Sequence, residues 1–271
     1  MTALKFSRKH LGIPYALFMA MFVVFPLLLI IYYAFTDPFT GRISLVNFID
    51  FFTSNANLTA MFISLALATL TTAICLLIAY PAAYILARTD INKNGVMLLL
   101  FILPMWINFV LRTAAMKELL YSIGMFKSNK TSFVNTLIGM VYDYLPFAVL
   151  PIYTVLQKLD KNILEASSDL GASGAQTLFK VTIPLSMPGI VSAITMILLP
   201  TMTSYVVSDT LGNGNVTIIG KLIENQFSTM YNWNAGSAIA MILLVVIFAT
   251  MLLTGKFSEE DSTDARGGGL W

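Results

Sequence analysis

An all-α membrane protein with six spanning helices is the fold class that the sequence predicts, and two observations carry the prediction. Of 271 residues, 57% are hydrophobic and 11% charged, whereas soluble domains carry about 25% charged residues. Six apolar runs cover about residues 13–35, 58–87, 96–115, 134–156, 190–208 and 236–254, each of a length that suits a hydrocarbon core roughly 30 Å thick. None alternates in polarity as a barrel strand does, and in lipid a helix satisfies its own backbone amides.

The first run follows Lys5, Arg8 and Lys9, an arrangement shared with signal peptides. From Ile13 to Phe35 it carries no charge, and no small-residue cleavage site follows it. It therefore reads as an uncleaved span, kinked at Pro26. The next three runs read as helical spans. Residues 158–188 then form a loop far longer than a helix hairpin needs, before the last two spans and a polar, Gly-rich tail over 256–271 that is expected to be flexible. No internal repeat or second domain is visible, so residues 1–271 read as one transmembrane domain.

Orientation follows from the basic residues. With the N-terminus inside, Lys5, Arg8, Lys9, Arg88, Lys93, Lys158, Lys161, Lys180, Lys256 and Arg266 fall on inner segments, ten of the sixteen lysines and arginines. This bias favours both termini in the cytoplasm and places the 158–188 loop there too, although Arg112, Lys117, Lys127 and Lys130 lie on an outer segment.

Composition also limits the chemistry. The formal net charge of +2 and scattered basic residues leave no footprint for nucleic acid. One cysteine, Cys75, and one histidine, His10, do not make a disulfide or a Cys/His metal site. The fifteen methionines read as packing residues, and the three Asn-x-Thr triplets at Asn57, Asn129 and Asn215 carry no assigned role. No catalytic cluster of His, Asp and Glu and no activated Ser or Cys is visible. Gly214 to Lys221 has the wrong spacing for a phosphate-binding loop, so the chain is not expected to bind ATP or any cofactor.

Within the 158–188 loop, Asn162 can cap a helix with Glu165 three residues on. Ile163, Leu164, Ser167, Leu170, Gly171, Ala175 and Leu178 recur at helical spacing. Gly171 and Gly174 permit a tight turn, and Pro184 and Pro188 close the segment. The pattern describes two short helices joined by a glycine bend, a knob beneath the membrane. An amphipathic helix resting on lipid headgroups is the simpler alternative.

The stretch Glu165-Ala166-Ser167, Gly171 and Val181-Thr182-Ile183-Pro184 resembles the glutamate–alanine–alanine motif of ABC-importer permeases, with Ser167, Val181 and Ile183 as mild departures. The resemblance implies a MetI-like fold whose loop is a coupling element seated on a separate ATPase. Glu165 would make a polar contact with that ATPase, Ala166 would pack closely and Gly171 would form the turn, with Asp169, Ile183 and Pro184 inside the motif. It further implies a second homologous permease, a dimer of ATP-binding subunits using ATP and magnesium, an extracytoplasmic solute-binding protein, and a bacterial inner-membrane location. Leu103-Pro104-Met105-Trp106-Ile107-Asn108, Leu111-Arg112, Leu145-Pro146-Phe147, Lys158-Leu159-Asp160-Lys161 and Val207-Ser208-Asp209 extend the resemblance to spermidine/putrescine importers, and among them to the first of two permease subunits.

Intramembrane carboxylates are costly and usually face a bundle interior or a water path. Asp209, Asp143 and Glu224 are therefore candidates to attract a polyamine's ammonium groups, with Trp106, Tyr142, Tyr144 and Tyr205 offering aromatic faces. Each has a plainer reading. Asp209 can solvate a helix end, Asp143 can pair with a basic group on a neighbouring helix or subunit, Glu224 can lie on an exposed outer segment, and Trp106 can anchor at the interface. Arg112 would repel a cation in the pore, and is expected to reach the outer interface or a partner instead. Permeases for iron, thiamine or an anion share the coupling motif, and an ion-driven secondary transporter would use Asp143 but leave the loop unexplained.

Overall fold

The computed structural model describes residues 12–89, 95–126 and 129–266, without the side chains of residues 12–13 and 253–266. His10, Lys93 and Lys127 lie outside the described residues. All regular structure among the described residues is helical, apart from one isolated bridge between Thr36 and Ile43. Four helical stretches are long and apolar enough to cross a membrane: Pro14–Ala34, Asn55–Arg88, Asn129–Lys158 and Trp233–Leu252. Two bent pairs, Val96–Trp106 with Phe109–Ser122 and Gly174–Leu185 with Met187–Thr203, bring the number of spans to as many as six.

The first span consists of α1 (Gly12–Met19), a π turn over Ala20–Val24, and α2 (Phe25–Ala34). The π turn lies directly before Pro26, where the missing amide of proline was expected to kink the helix. A short helix α3 (Val46–Thr53) precedes α4 (Asn55–Arg88), which continues through Pro81.

The third span differs from expectation: α5 (Val96–Ile102) tightens into a 3₁₀ turn over Leu103–Trp106, and α6 (Phe109–Ser122) starts afresh at 95° to it. Pro104 starts that turn, and Asn108 caps the new helix, its Oδ1 accepting from the amides of Val110 at 2.9 Å and Leu111 at 3.3 Å. A proline followed by an N-cap residue ended the helix inside an otherwise continuous apolar run.

α7 (Ser132–Lys158) is followed by the loop helices α8 (Lys161–Asp169), α9 (Gly174–Thr177), a π turn over Leu178–Thr182 and α10 (Ile183–Leu185). α11 (Met187–Thr203) leaves this segment at a 66° bend and is separated by Ser204 from α12 (Tyr205–Leu211), so the fifth span is also broken short of residue 208. α13 (Ile219–Glu224), a π turn over Asn225–Thr229 and α14 (Trp233–Arg266) complete the chain. α14 extends to Arg266, into the segment expected to be a flexible tail; between Lys256 and Arg266 no proline or glycine interrupts it, and Lys256, Glu259 and Glu260 favour helix.

Two compact units can be distinguished: Met1–Leu58 with Leu222–Val245, and Thr59–Lys221 with Val246–Trp271. In the first unit, Asn47 and Asn234 donate to carbonyls at the end of α2 and just beyond it. Asn47 Nδ2 donates to Ala34 and Thr36, and Asn234 Nδ2 to Tyr33 and Thr36.

In the second unit, the core forms where α7 packs along α11, with Leu67, Cys75 and Ala79 of α4, Met140, Ala148, Ile152 and Leu156 of α7, and Ala193 and Ile197 of α11 all fully buried. Small residues on these faces permit close helix approach, the usual basis of packing within lipid. Cys75 belongs to this core. Elsewhere large apolar side chains face outward, among them Leu77, Leu99, Leu111 and Phe248, as a lipid-exposed surface requires.

Candidate functional site: a loop knob and a cavity between helices

Two places in the second unit carry the features that the sequence singled out. The first is the knob over residues 158–188. Asp160, not Asn162, caps α8: it holds extended backbone just after α7, and its Oδ1 accepts from the Asn162 amide at 3.0 Å. At the other end Gly171 takes φ +81°, a left-handed conformation that glycine adopts without strain. The amides of Gly171 and Ala172 return to the carbonyls of Ser168 and Ser167. Ser173 and Gln176 then form a reciprocal capping box at the start of α9.

Ser167, the departure from alanine, joins the two halves of the knob. Its hydroxyl lies 2.8 Å from the Leu164 carbonyl and 2.9 Å from the Thr177 hydroxyl, in a buried pair. Because the Ser167 proton goes to Leu164, Thr177 donates to Ser167. The remaining motif residues face outward. Glu165, Ala166, Asp169, Gly171 and Pro184 are exposed and Ile183 half-buried, and Glu165 makes no hydrogen bond or ion pair among the described residues. Leu170 is 89% exposed and Phe179 68%, so Leu170 stands out from the knob instead of joining its inner face.

The knob is tied to the spans at two points. Arg88 at the end of α4 donates to the Leu159 carbonyl at 3.1 Å, and the hydroxyls of Tyr80 and Ser186 lie 2.9 Å apart at the bend between α10 and α11. From that bend α11 runs 17 residues to Thr203, about 25 Å at 1.5 Å per residue.

Its far end borders the second place, a cavity of about 650 Å³ whose lining includes Trp106, Asn108, Phe109, Phe147, Thr203 and Tyr205, as well as Arg112, Asp143 and Tyr144. The broken third span and the break at Ser204 both open onto it. Four of the seven residues that the sequence offered for the solute path, Trp106, Asp143, Tyr144 and Tyr205, meet here.

Asp143 does not present a free charge. Arg112 Nε donates to its Oδ1 at 2.6 Å and the Thr113 hydroxyl to its Oδ2 at 3.3 Å, with Arg112 and Asp143 side chains only 6% and 1% exposed. Arg112 also donates from Nη1 to the Pro104 carbonyl at 2.6 Å, which accepts from the Ile107 amide as well at the end of the 3₁₀ turn. Where Arg112 was expected to reach the outer interface or a partner, it pairs inward, because the carboxylate and carbonyl of Asp143 and the Pro104 carbonyl together offer three acceptors. The pair pins both halves of the broken span to α7 and leaves the cavity wall without net charge from these two residues.

Asp209 and Glu224 are not among the residues lining this cavity. Asp209, 52% exposed near the end of α12, accepts from Lys221 Nζ at 3.4 Å. Glu224 ends α13 and belongs to the first unit. The Arg112–Asp143 pairing was one of several partners open to Asp143 in the sequence; the only signal there was that each lone charge lay in or beside an apolar run and needed a counter-charge.

The family model for the binding-protein-dependent transport system inner membrane component matches residues 79–255, a stretch that contains both the knob and the cavity. A spermidine/putrescine transport system permease protein, PotB, from Haemophilus influenzae is 36% identical over 218 residues, covering 73% of this chain and 76% of that protein. The PotB of Escherichia coli is 35% identical over 209 residues, covering 72% and 76%. Among solved structures, a bacterial ABC transporter involved in import of the acidic polysaccharide alginate has a similar chain, with a TM-score of 0.75 and 15% identity over 93% of this chain and 94% of that one. This second likeness concerns the fold. The matched span of sequence, together with relatives that share more than a third of their residues across most of both chains, places this chain in the family of binding-protein-dependent transport system inner membrane components, the multi-pass permeases of ABC importers.

Proposed function

We propose that this permease is one half of the translocation path of an ATP-driven polyamine importer, taking spermidine, putrescine or both from an extracytoplasmic binding protein. The identity shared with two spermidine/putrescine permeases over nearly three quarters of the chain carries this reading. The cavity suits such a cargo. It offers the faces of Trp106, Phe109 and Tyr205 and the polar groups of Asn108 and Thr203, and an ammonium over an aromatic ring gains about 0.5–2 kcal/mol. With Asp143 neutralised by Arg112, cation selection rests on these rings and on Asp209 outside the cavity lining.

In this reading a second homologous permease completes the path, and a pair of ATPase subunits supplies hydrolysis of ATP with magnesium, since this chain has no phosphate-binding loop. Both termini and the knob lie in the cytoplasm. Glu165, free of internal partners among the described residues, and the projecting Leu170 and Phe179 meet a groove of the ATPase. ATPase closure pushes the knob, and α11 carries the displacement from Ser186 to the cavity wall at Thr203. The hydroxyl pair of Ser167 and Thr177 keeps the two knob helices moving together.

Competition for the partner binding protein tests the cargo. Spermidine and putrescine are expected to displace one another at low concentration, whereas failure of both to bind removes the polyamine assignment and leaves the permease assignment in place. Co-purification of this chain with an ATPase tests the motor, and a complex that transports without one contradicts it.

A further inference from the structure

Lys221 occupies an unusual position for a basic residue beside a cation path. Its neighbour Ile219 is buried and donates its amide to the Ser64 hydroxyl of α4 at 2.7 Å. Gly220, also buried, lies so close to the break after α11 that a Cβ there would come within 2.5 Å of the Thr203 carbonyl oxygen. No side chain fits, so the start of α13 is held against the Thr203–Ser204 break from two directions. That anchoring presents Lys221 to α12, with its Nζ 3.4 Å from Asp209 Oδ2 and 5.8 Å from the centre of the Tyr205 ring.

A carboxylate and an aromatic face together make a site for an alkylammonium ion. Tyr205 also lines the cavity, so this site adjoins the path. Lysine's ε-ammonium on its four-carbon chain has the same chemistry as one end of a diamine. The side chains of Lys221 and Asp209 are 25% and 52% exposed, which leaves solvent access for an exchange of partners, and exposed ion pairs are weak enough to exchange.

We propose that Lys221 is a tethered competitor: in the solute-free protein its ammonium holds the Asp209–Tyr205 site that a primary alkylammonium solute takes over on entering the cavity. The displaced lysine swings into solvent, and its return helps to expel the solute. This rests on the polyamine reading above. Lys221 thereby sets a threshold. A solute with a strong ammonium group displaces it, and a neutral solute does not.

The test is equilibrium binding of labelled spermidine to the complete transporter in nanodiscs, without binding protein, for the wild type and substituted chains. Lys221→Met, with Lys221→Gln as a second neutral replacement, is expected to tighten binding about two- to fivefold, the scale of one partly exposed ion pair. Lys221→Arg should retain wild-type affinity. Asp209→Asn should weaken binding and abolish the gain from Lys221→Met when the two are combined. Unchanged or weaker binding in both neutral variants at normal abundance overturns the proposal while leaving the polyamine reading intact. A wild-type transporter that neither binds nor imports spermidine or putrescine overturns that reading, and this proposal with it.

Discussion

Asp143 keeps a charge inside a membrane helix because every side of its carboxylate is answered, by Arg112 on one oxygen and Thr113 on the other. Removing one partner leaves an uncompensated buried charge. Arg112→Met or Asp143→Leu alone should therefore destabilise the purified protein by about 3–5 kcal/mol, whereas the double replacement should recover much of the loss. Thermal unfolding in detergent checks this, and equal losses in the single and double variants would contradict it. Sequence identified both residues as anomalous, but not as partners. They are 31 positions apart, and a lone charge states its need for a counter-ion without stating which helix supplies it. Glu165, by contrast, was singled out by its motif, and the structure leaves it exposed on the knob.

At the scale of elements, the apolar runs pointed to six spans, of which four are single long helices and two are bent pairs whose breaks the runs did not show. Hydropathy averages over a window, while a break depends on single residues such as Pro104 with Asn108, or Ser204. The same holds for the knob, where helix–bend–helix was readable and the cap fell to Asp160 instead of Asn162. Its internal clasp offers a test. Ser167→Ala or Thr177→Val alone should loosen the knob by about 1 kcal/mol, because each leaves a buried hydroxyl with one partner fewer. Replacing both should cost less than the sum, since no such hydroxyl then remains. Hydrogen exchange in α8 and α9 is the measurement, and strictly additive losses would show that the two hydroxyls do not act as a pair.

In the proposed transport cycle the knob is joined to the cavity through α11, whose ends lie at the Ser186 bend and the Ser204 break. The two lesions should separate in function. Replacing Trp106 or Tyr205 with leucine should weaken spermidine binding by roughly two- to tenfold per ring, the range of a cation–π contact, and leave ATP hydrolysis by the complex running. Unaltered binding in both variants would move the solute path away from this cavity. Loss of Glu165 should do the reverse, leaving binding intact and breaking the link to the motor.

The most direct measurement is uptake of labelled spermidine and putrescine into proteoliposomes that contain the complete transporter, with and without ATP, for the wild type and Glu165→Ala at equal abundance. The prediction is ATP-dependent polyamine uptake by the wild type, and ATP hydrolysis without matching uptake by the variant. No polyamine uptake by the wild type, or undiminished uptake by Glu165→Ala, would contradict it.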